Sequence, residues 1–203
     1  MRYYWRKLTA KQREELLEWR RELKRPWHSP PHRPNFGRLR FHITAACYEH
    51  ASYIGHSAER MESFCRTLIE AVKSHSEELF CWCVLPKHYH LLVNTPNVLR
   101  LLYELGRLHG RTSHLWNTEE NSRGRKLFHR ATERAMRSDR HFLATINYIH
   151  HNPVHHRYVE RWTEWPWSSA VDYLQTVGRD EAERLWRDYP VLDYGAKWDT
   201  AEM

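Results

Sequence analysis

The sequence has no apolar run approaching the roughly 18 residues that a membrane-spanning helix needs. Its first residues, Met1 to Lys7, are charged and aromatic, without the apolar stretch of a secretory leader. These two absences set the expectation of a soluble, cytoplasmic protein with no membrane partner. Cysteine is scarce as well. Cys47, Cys65, Cys81 and Cys83 include no Cys-x-x-Cys spacing, which argues against a zinc ribbon. They read as buried free thiols. No internal repeat is found.

An apolar share of 41% is enough for a hydrophobic core. The formal charge is +7 with His counted neutral, and the pI is near 9.3. That excess suggests a polyanionic partner, nucleic acid first. Ten Trp and eleven Tyr, interleaved with Arg, suit stacking on unpaired bases. For any one Trp, core packing explains its presence equally well.

Hydrophobic spacing divides the chain into elements. Thr9 to Lys24 reads as a helix, with Thr9 and Gln12 as a capping box. Pro26 to Pro34 holds four prolines and reads as a linker. The boundaries follow: residues 1–35 as a helical extension with its linker, 36–176 as the main domain, 177–203 as a C-terminal tail. Leu39 to Cys47 alternates as a strand, with His42 opposite Phe41 in a structural or supporting position. Ser57 to Ser74 has helical spacing. Leu79 to Leu85 and His88 to Val93 form two strands broken at Pro86, hence an antiparallel hairpin. Val98 to Trp116 is helical despite Gly106 and Gly110, and Asn117 to Lys126 is a loop. Leu127 to Ala135 fits strand or loop. Ser138 caps a helix that Pro153 ends, because Asn152 before proline avoids helical backbone. Trp165-Pro166-Trp167 opens a further segment, with Ser168 or Ser169 capping a helix to Gln175. Gly178 to Arg184 is a polar stretch leading to the tail. Strands mixed with helices, with one clear hairpin, indicate an α+β fold.

The most informative segment is Leu85-Pro86-Lys87-His88-Tyr89-His90-Leu91-Leu92-Val93. Residues i and i+2 of a strand face one side, so His88 and His90 point together and Tyr89 points away. Two imidazoles on one face can ligate a divalent ion, although imidazole alone does not select the metal. In a chain with 16 histidines such a pair also arises by chance. Read by themselves, Tyr148, between Ile146 and Ile149, is an ordinary partly buried tyrosine, and Asn152 is a helix C-cap. His150, His151, His155 and His156 read as helix-end or phosphate-contacting residues rather than metal ligands.

The His88–His90 segment resembles the His-hydrophobic-His signature of IS200-like, single-tyrosine transposases, and more closely that of the REP-associated tyrosine transposases. Asn147-Tyr148-Ile149-His150-His151-Asn152-Pro153-Val154 resembles their Tyr-Ile-x-x-Asn-Pro-Val segment. Trp165-Pro166-Trp167-Ser168-Ser169, followed by Tyr173, is a third matching block, and the three come in the family's order over roughly residues 36 to 175. The resemblance implies a ferredoxin-like antiparallel sheet with helices on one face. It implies the histidine pair on a central strand and the tyrosine on a helix packed beside it. It also implies cleavage of single-stranded DNA near hairpins with Mg²⁺ or Mn²⁺, leaving a 5′-phosphotyrosine and a free 3′-OH. Carried over by position, Tyr148 is the nucleophile and His88, His90 and Asn152 hold the metal. An amide oxygen suits a hard cation, and four-residue spacing puts Asn152 on the helix face of Tyr148.

For the DNA itself, Arg123, Arg125, Lys126, Arg130, Arg134 and Arg137 cluster before the tyrosine helix and continue to Arg140. Such a patch would track the backbone, though a solvated face accounts for it equally well. Arg20, Arg21, Lys24 and Arg25 offer a second basic arm. The chain departs from the family at Tyr89, where an aliphatic residue is commoner, and at Lys126 to Arg130, where a Trp-Gln type segment is usual. A monomer is expected. The alternatives are an inactive relative that binds hairpin DNA or RNA, and a water-using metallohydrolase.

Overall fold

The computed structural model describes residues 9–11, 14, 18, 39–192, 194, 195 and 199. The chain forms two compact units, Met1–Phe36 and Gly37–Met203. In the first, Ala10, Lys11, Glu14 and Glu18 are helical, within the helix expected from Thr9. Gln12 of the capping box, the proline linker and the basic residues Arg20, Arg21, Lys24 and Arg25 lie outside the described residues.

The second unit runs β1 (Arg40–Ala46), α1 (Ala58–Lys73), β2 (Glu78–Val84), β3 (His88–Asn94), α2 (Val98–Glu119) and β4 (Thr132–Ala135). Then follow α3 (Asp139–His155), α4 (Ala170–Val177) and α5 (Arg179–Asp188). The strands form one antiparallel sheet in the order β2-β3-β1-β4. A βαββαβ connection with that order is the ferredoxin-like arrangement, as expected.

Strand alternation gives the sheet two faces. Phe41, Ile43 and Ala45 lie across from Val93, Leu91 and Tyr89, and all six are buried. This face receives α1, whose Phe64 ring lies 6.1 Å from that of Tyr89. It also receives α2, whose His109 Nε2 is 3.1 Å from the Tyr89 hydroxyl. The other face presents His42, His88 and His90 and receives α3 (Tyr148 OH to His90 Nε2, 3.4 Å). The helices therefore divide between the faces, α1 and α2 as in the expected layer and α3 opposite them.

Caps set several helix starts. Ser57 Oγ accepts from the Arg60 amide at 3.2 Å, Asn97 Oδ1 from Arg100 at 3.0 Å, and Ser138 Oγ from His141 at 3.1 Å. Helix α2 runs through Gly106 and Gly110, whose intrinsic cost of about 1 kcal/mol each is offset by burial of Leu101, Leu105, Leu108 and Trp116.

One expectation is corrected. Helix α3 does not end at Pro153 but continues to His155. Proline lacks only its own N–H, and the turn closes around it, with His156 N donating to Asn152 O at 3.0 Å. The polar stretch from Gly178 folds as α5, and Asn147 Nδ2 docks its end by donating to Leu185 O and Tyr189 O at 3.1 and 2.9 Å.

The Trp-Pro-Trp segment covers the outer edge of β2. Val84 N donates to Trp167 O at 2.8 Å, and Trp165 Nε1 donates to Val84 O at 2.8 Å. Ser169 precedes α4 but makes no side-chain cap. Its Oγ accepts from the Trp82 amide at 2.9 Å and meets His150 Nε2 at 2.9 Å. An exposed sheet edge invites pairing with another chain, and this segment closes it. The four cysteines are free and buried, as expected.

Candidate metal and nucleophile site

A tight turn delivers the histidine pair. Leu85 N donates to His88 O at 2.8 Å, Cys47 N to Lys87 O at 2.7 Å and Gly55 N to Pro86 O at 3.0 Å, so β2 and β3 join without slack. Both imidazoles are buried, and Tyr89 points to the opposite face.

Helix α3 brings Tyr148, Asn152 and, one turn further, His156 to the same place. Asn152 Oδ1 lies 3.0 Å from His88 Nε2. The Tyr148 hydroxyl faces His90 Nε2, as given above. The two separated segments that carry His88 and His90, and Tyr148 and Asn152, thus meet in one cluster.

Two further residues join it. Asp199, in the C-terminal segment, accepts hydrogen bonds from Asn152 Nδ2 at 2.7 Å, from His156 Nε2 at 2.9 Å and from the Tyr148 hydroxyl. Its carboxylate is also 3.6 Å from both His88 Nε2 and His90 Nε2. Among the described residues, the group of His, Cys, Asp or Glu that converges to metal-binding distance is His88, His156 and Asp199, all within 4.8 Å of one another. Nothing local in the sequence marks Asp199. From the sequence His156 reads as a helix-end or phosphate-contacting residue, and the continuation of α3 past Pro153 is what brings it to the site. Its Nδ1 is buried and has no hydrogen-bond partner among the described residues.

His42 supports the pair from β1. Its Nε2 lies 3.1 Å from His90 Nδ1, and its Nδ1 lies 3.3 Å from the Tyr194 hydroxyl. Engaging Nδ1 of His90 leaves Nε2 directed at Tyr148 and Asp199.

Burial, reinforced by the neighbouring His90, pushes the His88 pKa down to about 3. Burial and His90 likewise hold His42 well below its ordinary range. His88 is therefore a neutral imidazole at pH 7, the form a metal requires. Burial and then the Asp199 carboxylate push the Tyr148 phenol far up. The donor set, imidazoles with an amide oxygen, fits a divalent cation.

The nucleophile candidate is covered. Tyr148 is 3% exposed, and the Tyr194 ring centroid is 4.7 Å from its own. Gly195 has a positive φ of 93°, and a Cβ there would stand 2.8 Å from Tyr148 Cε2, so only glycine fits.

Of the predicted DNA-contacting residues, Arg123, Lys126, Arg130, Arg134 and Arg137 are exposed. Arg134 lies on β4 opposite His42, at the rim of the site. Arg125 is half-buried and engaged in its own loop, donating to Glu120 at 2.8 Å and Asn117 at 3.1 Å.

No protein-family model matches the chain, and no curated protein matches it. Solved structures do. One is a REP-associated tyrosine transposase bound to a REP hairpin, with a TM-score of 0.58 and 18% identity over 75% of this chain and 90% of that one. The chain has the fold of a tyrosine transposase. Within that fold, the His88–His90 strand is central in the sheet and α3 lies against it. No described helix is long and apolar enough to cross a membrane.

Proposed function

We propose that the protein is a metal-dependent nickase and strand transferase that acts, as a monomer, on single-stranded DNA near hairpins. The observation that carries this reading is the meeting of Tyr148 and Asn152 with His90 and His88 at 3.4 and 3.0 Å. A hairpin as the target is supported by the hairpin bound to the similar transposase.

His88, His90 and Asn152 would hold the ion, Mg²⁺ or Mn²⁺, which supplies positive charge against a non-bridging oxygen of the scissile phosphate. Tyr148 is the nucleophile. Its oxygen bonds to phosphorus as the bond to the 3′ oxygen breaks, leaving a 5′-phosphotyrosine and a 3′-OH. Attack of a 3′-OH on that linkage rejoins the strand. His42 orients His90 through Nδ1. Arg134 at the site rim, with Arg123, Lys126, Arg130 and Arg137, tracks the DNA backbone. The C-terminal segment must withdraw before a phosphate reaches Tyr148, because Asp199 and Gly195 occupy its surroundings.

The test is covalent capture. With hairpin-bearing single-stranded oligonucleotides and Mn²⁺, the wild-type chain forms a protein–DNA adduct that survives denaturing electrophoresis. Tyr148→Phe and His88→Ala form none while keeping their far-UV circular dichroism. An undiminished adduct in Tyr148→Phe would remove the nucleophile assignment. Tight hairpin binding without an adduct would leave a DNA-binding protein instead.

A further inference from the structure

We propose that His156 is an additional protein ligand of the metal centre, presenting Nε2 as a third imidazole beside those of the His88–His90 strand. The inference rests on the reading of the cluster as a metal site.

Three observations carry it. First, Tyr148, Asn152 and His156 stand at four-residue intervals, and α3 keeps its course through Pro153. His156 therefore projects from the same helix face as Asn152. Second, the ring is aimed at the site. Its centroid is 4.8 Å from that of His88, and its Nε2 is 2.9 Å from the Asp199 oxygen that lies 3.6 Å from His88 Nε2. Donors held about 2.1 Å from one ion sit roughly 3 to 3.5 Å apart, so Asp199 marks the point on which the two imidazoles converge. Third, the ring is only 7% exposed and its Nδ1 has no partner among the described residues. A side chain kept for packing alone would be better apolar, since an apolar group leaves no buried nitrogen unsatisfied. A ligand role accounts for an imidazole at this position.

The consequence is a change of metal preference. Mg²⁺ favours oxygen donors and retains its waters, whereas each added imidazole favours the later divalent ions. The centre should bind Co²⁺ more tightly than Mn²⁺, and Mn²⁺ more tightly than Mg²⁺.

The experiment uses the full chain, without DNA. Co²⁺ is titrated into wild type, His88→Ala, His156→Ala and His156→Phe, following visible absorption, and Mn²⁺ and Mg²⁺ are then added as competitors. His156→Phe fills the space of the ring and separates lost ligation from lost packing. The expected result is one Co²⁺ per chain in wild type. Both His156 variants should bind more than about 100-fold more weakly, beyond the roughly 10–100-fold effect of losing a supporting residue, with an altered absorption band. Imidazole ¹⁵N spectra of wild type with Zn²⁺ should show the His156 nitrogen shifted on binding. If His88→Ala loses Co²⁺ while both His156 variants keep wild-type affinity and spectrum, His156 is not a ligand and the metal site itself stands. If wild type binds no ion, both readings fall.

Discussion

Removing the Asp199 carboxylate should activate the protein. In the structure this carboxylate accepts hydrogen bonds from Asn152 Nδ2 at 2.7 Å, His156 Nε2 at 2.9 Å and the Tyr148 hydroxyl. At a net contribution of about 1 kcal/mol each, the three contribute about 3 kcal/mol to holding Asp199 over the proposed nucleophile. Near 1.4 kcal/mol per factor of ten, that corresponds to a shift of about 150-fold toward the covered arrangement. Asp199→Ala removes all three bonds. It also removes the negative charge that, after burial, keeps the Tyr148 proton in place. If opening precedes attack, the single-turnover rate of adduct formation should rise by up to about a hundredfold, with Asp199→Asn intermediate. The assay is rapid quench of the variant with a labelled hairpin oligonucleotide and Mn²⁺, with binding of the same oligonucleotide measured in parallel. A slower rate in Asp199→Ala at unchanged DNA affinity would refute this reasoning and make Asp199 a participant in the reaction. An unchanged rate would show that opening does not limit it.

Acid should destabilise the fold through its buried imidazoles. Burial pushes His88 and His150 down to about 3 and His109 down to about 4. Below the ordinary value near 6.5 the unfolded chain takes up protons that the folded chain refuses. Stability is thus complete above about pH 6.5 and falls as pH drops toward 4, by about 2 kcal/mol per histidine at pH 5. Equal unfolding free energies at pH 7.5 and 5 in denaturant titrations would contradict this. Gly55→Ala should lower stability by about 1–3 kcal/mol, read as a lower thermal midpoint. Its Cβ would stand 2.8 Å from Pro86 Cα and 2.8 Å from Ser52 Oγ, in the turn that positions His88. Replacing exposed Arg134 and Arg137 with alanine should weaken single-strand binding and flatten its salt dependence by about 0.7 for each phosphate left without its cation. An unchanged slope would place the DNA elsewhere.

Local periodicity alone was enough for much of this protein. The alternation through Leu85–Val93 puts His88 and His90 on one face, with Tyr89 packed on the other against His109. The four-residue step from Tyr148 to Asn152 puts both on one helix face. The order through the first three strands and two helices was readable from apolar spacing because each of those elements buries a continuous stripe. The weak edge strand at Thr132–Ala135 was not, since only four residues pair there and none is fully buried.

Other features required the folded chain. Pro153 reads locally as a stop, yet the packed helix passes it at the loss of one hydrogen bond, and this carries His156 to the site. Asp199 is one acid among 25 with no motif around it. It becomes part of the cluster only because the fold sets it against a tyrosine 51 residues earlier. Ser169 reads as a helix cap but is taken by the edge of β2 and by His150. Periodicity specifies which side chains share a face. Which faces meet, and which distant group completes the site between them, depends on long-range packing that no local pattern encodes.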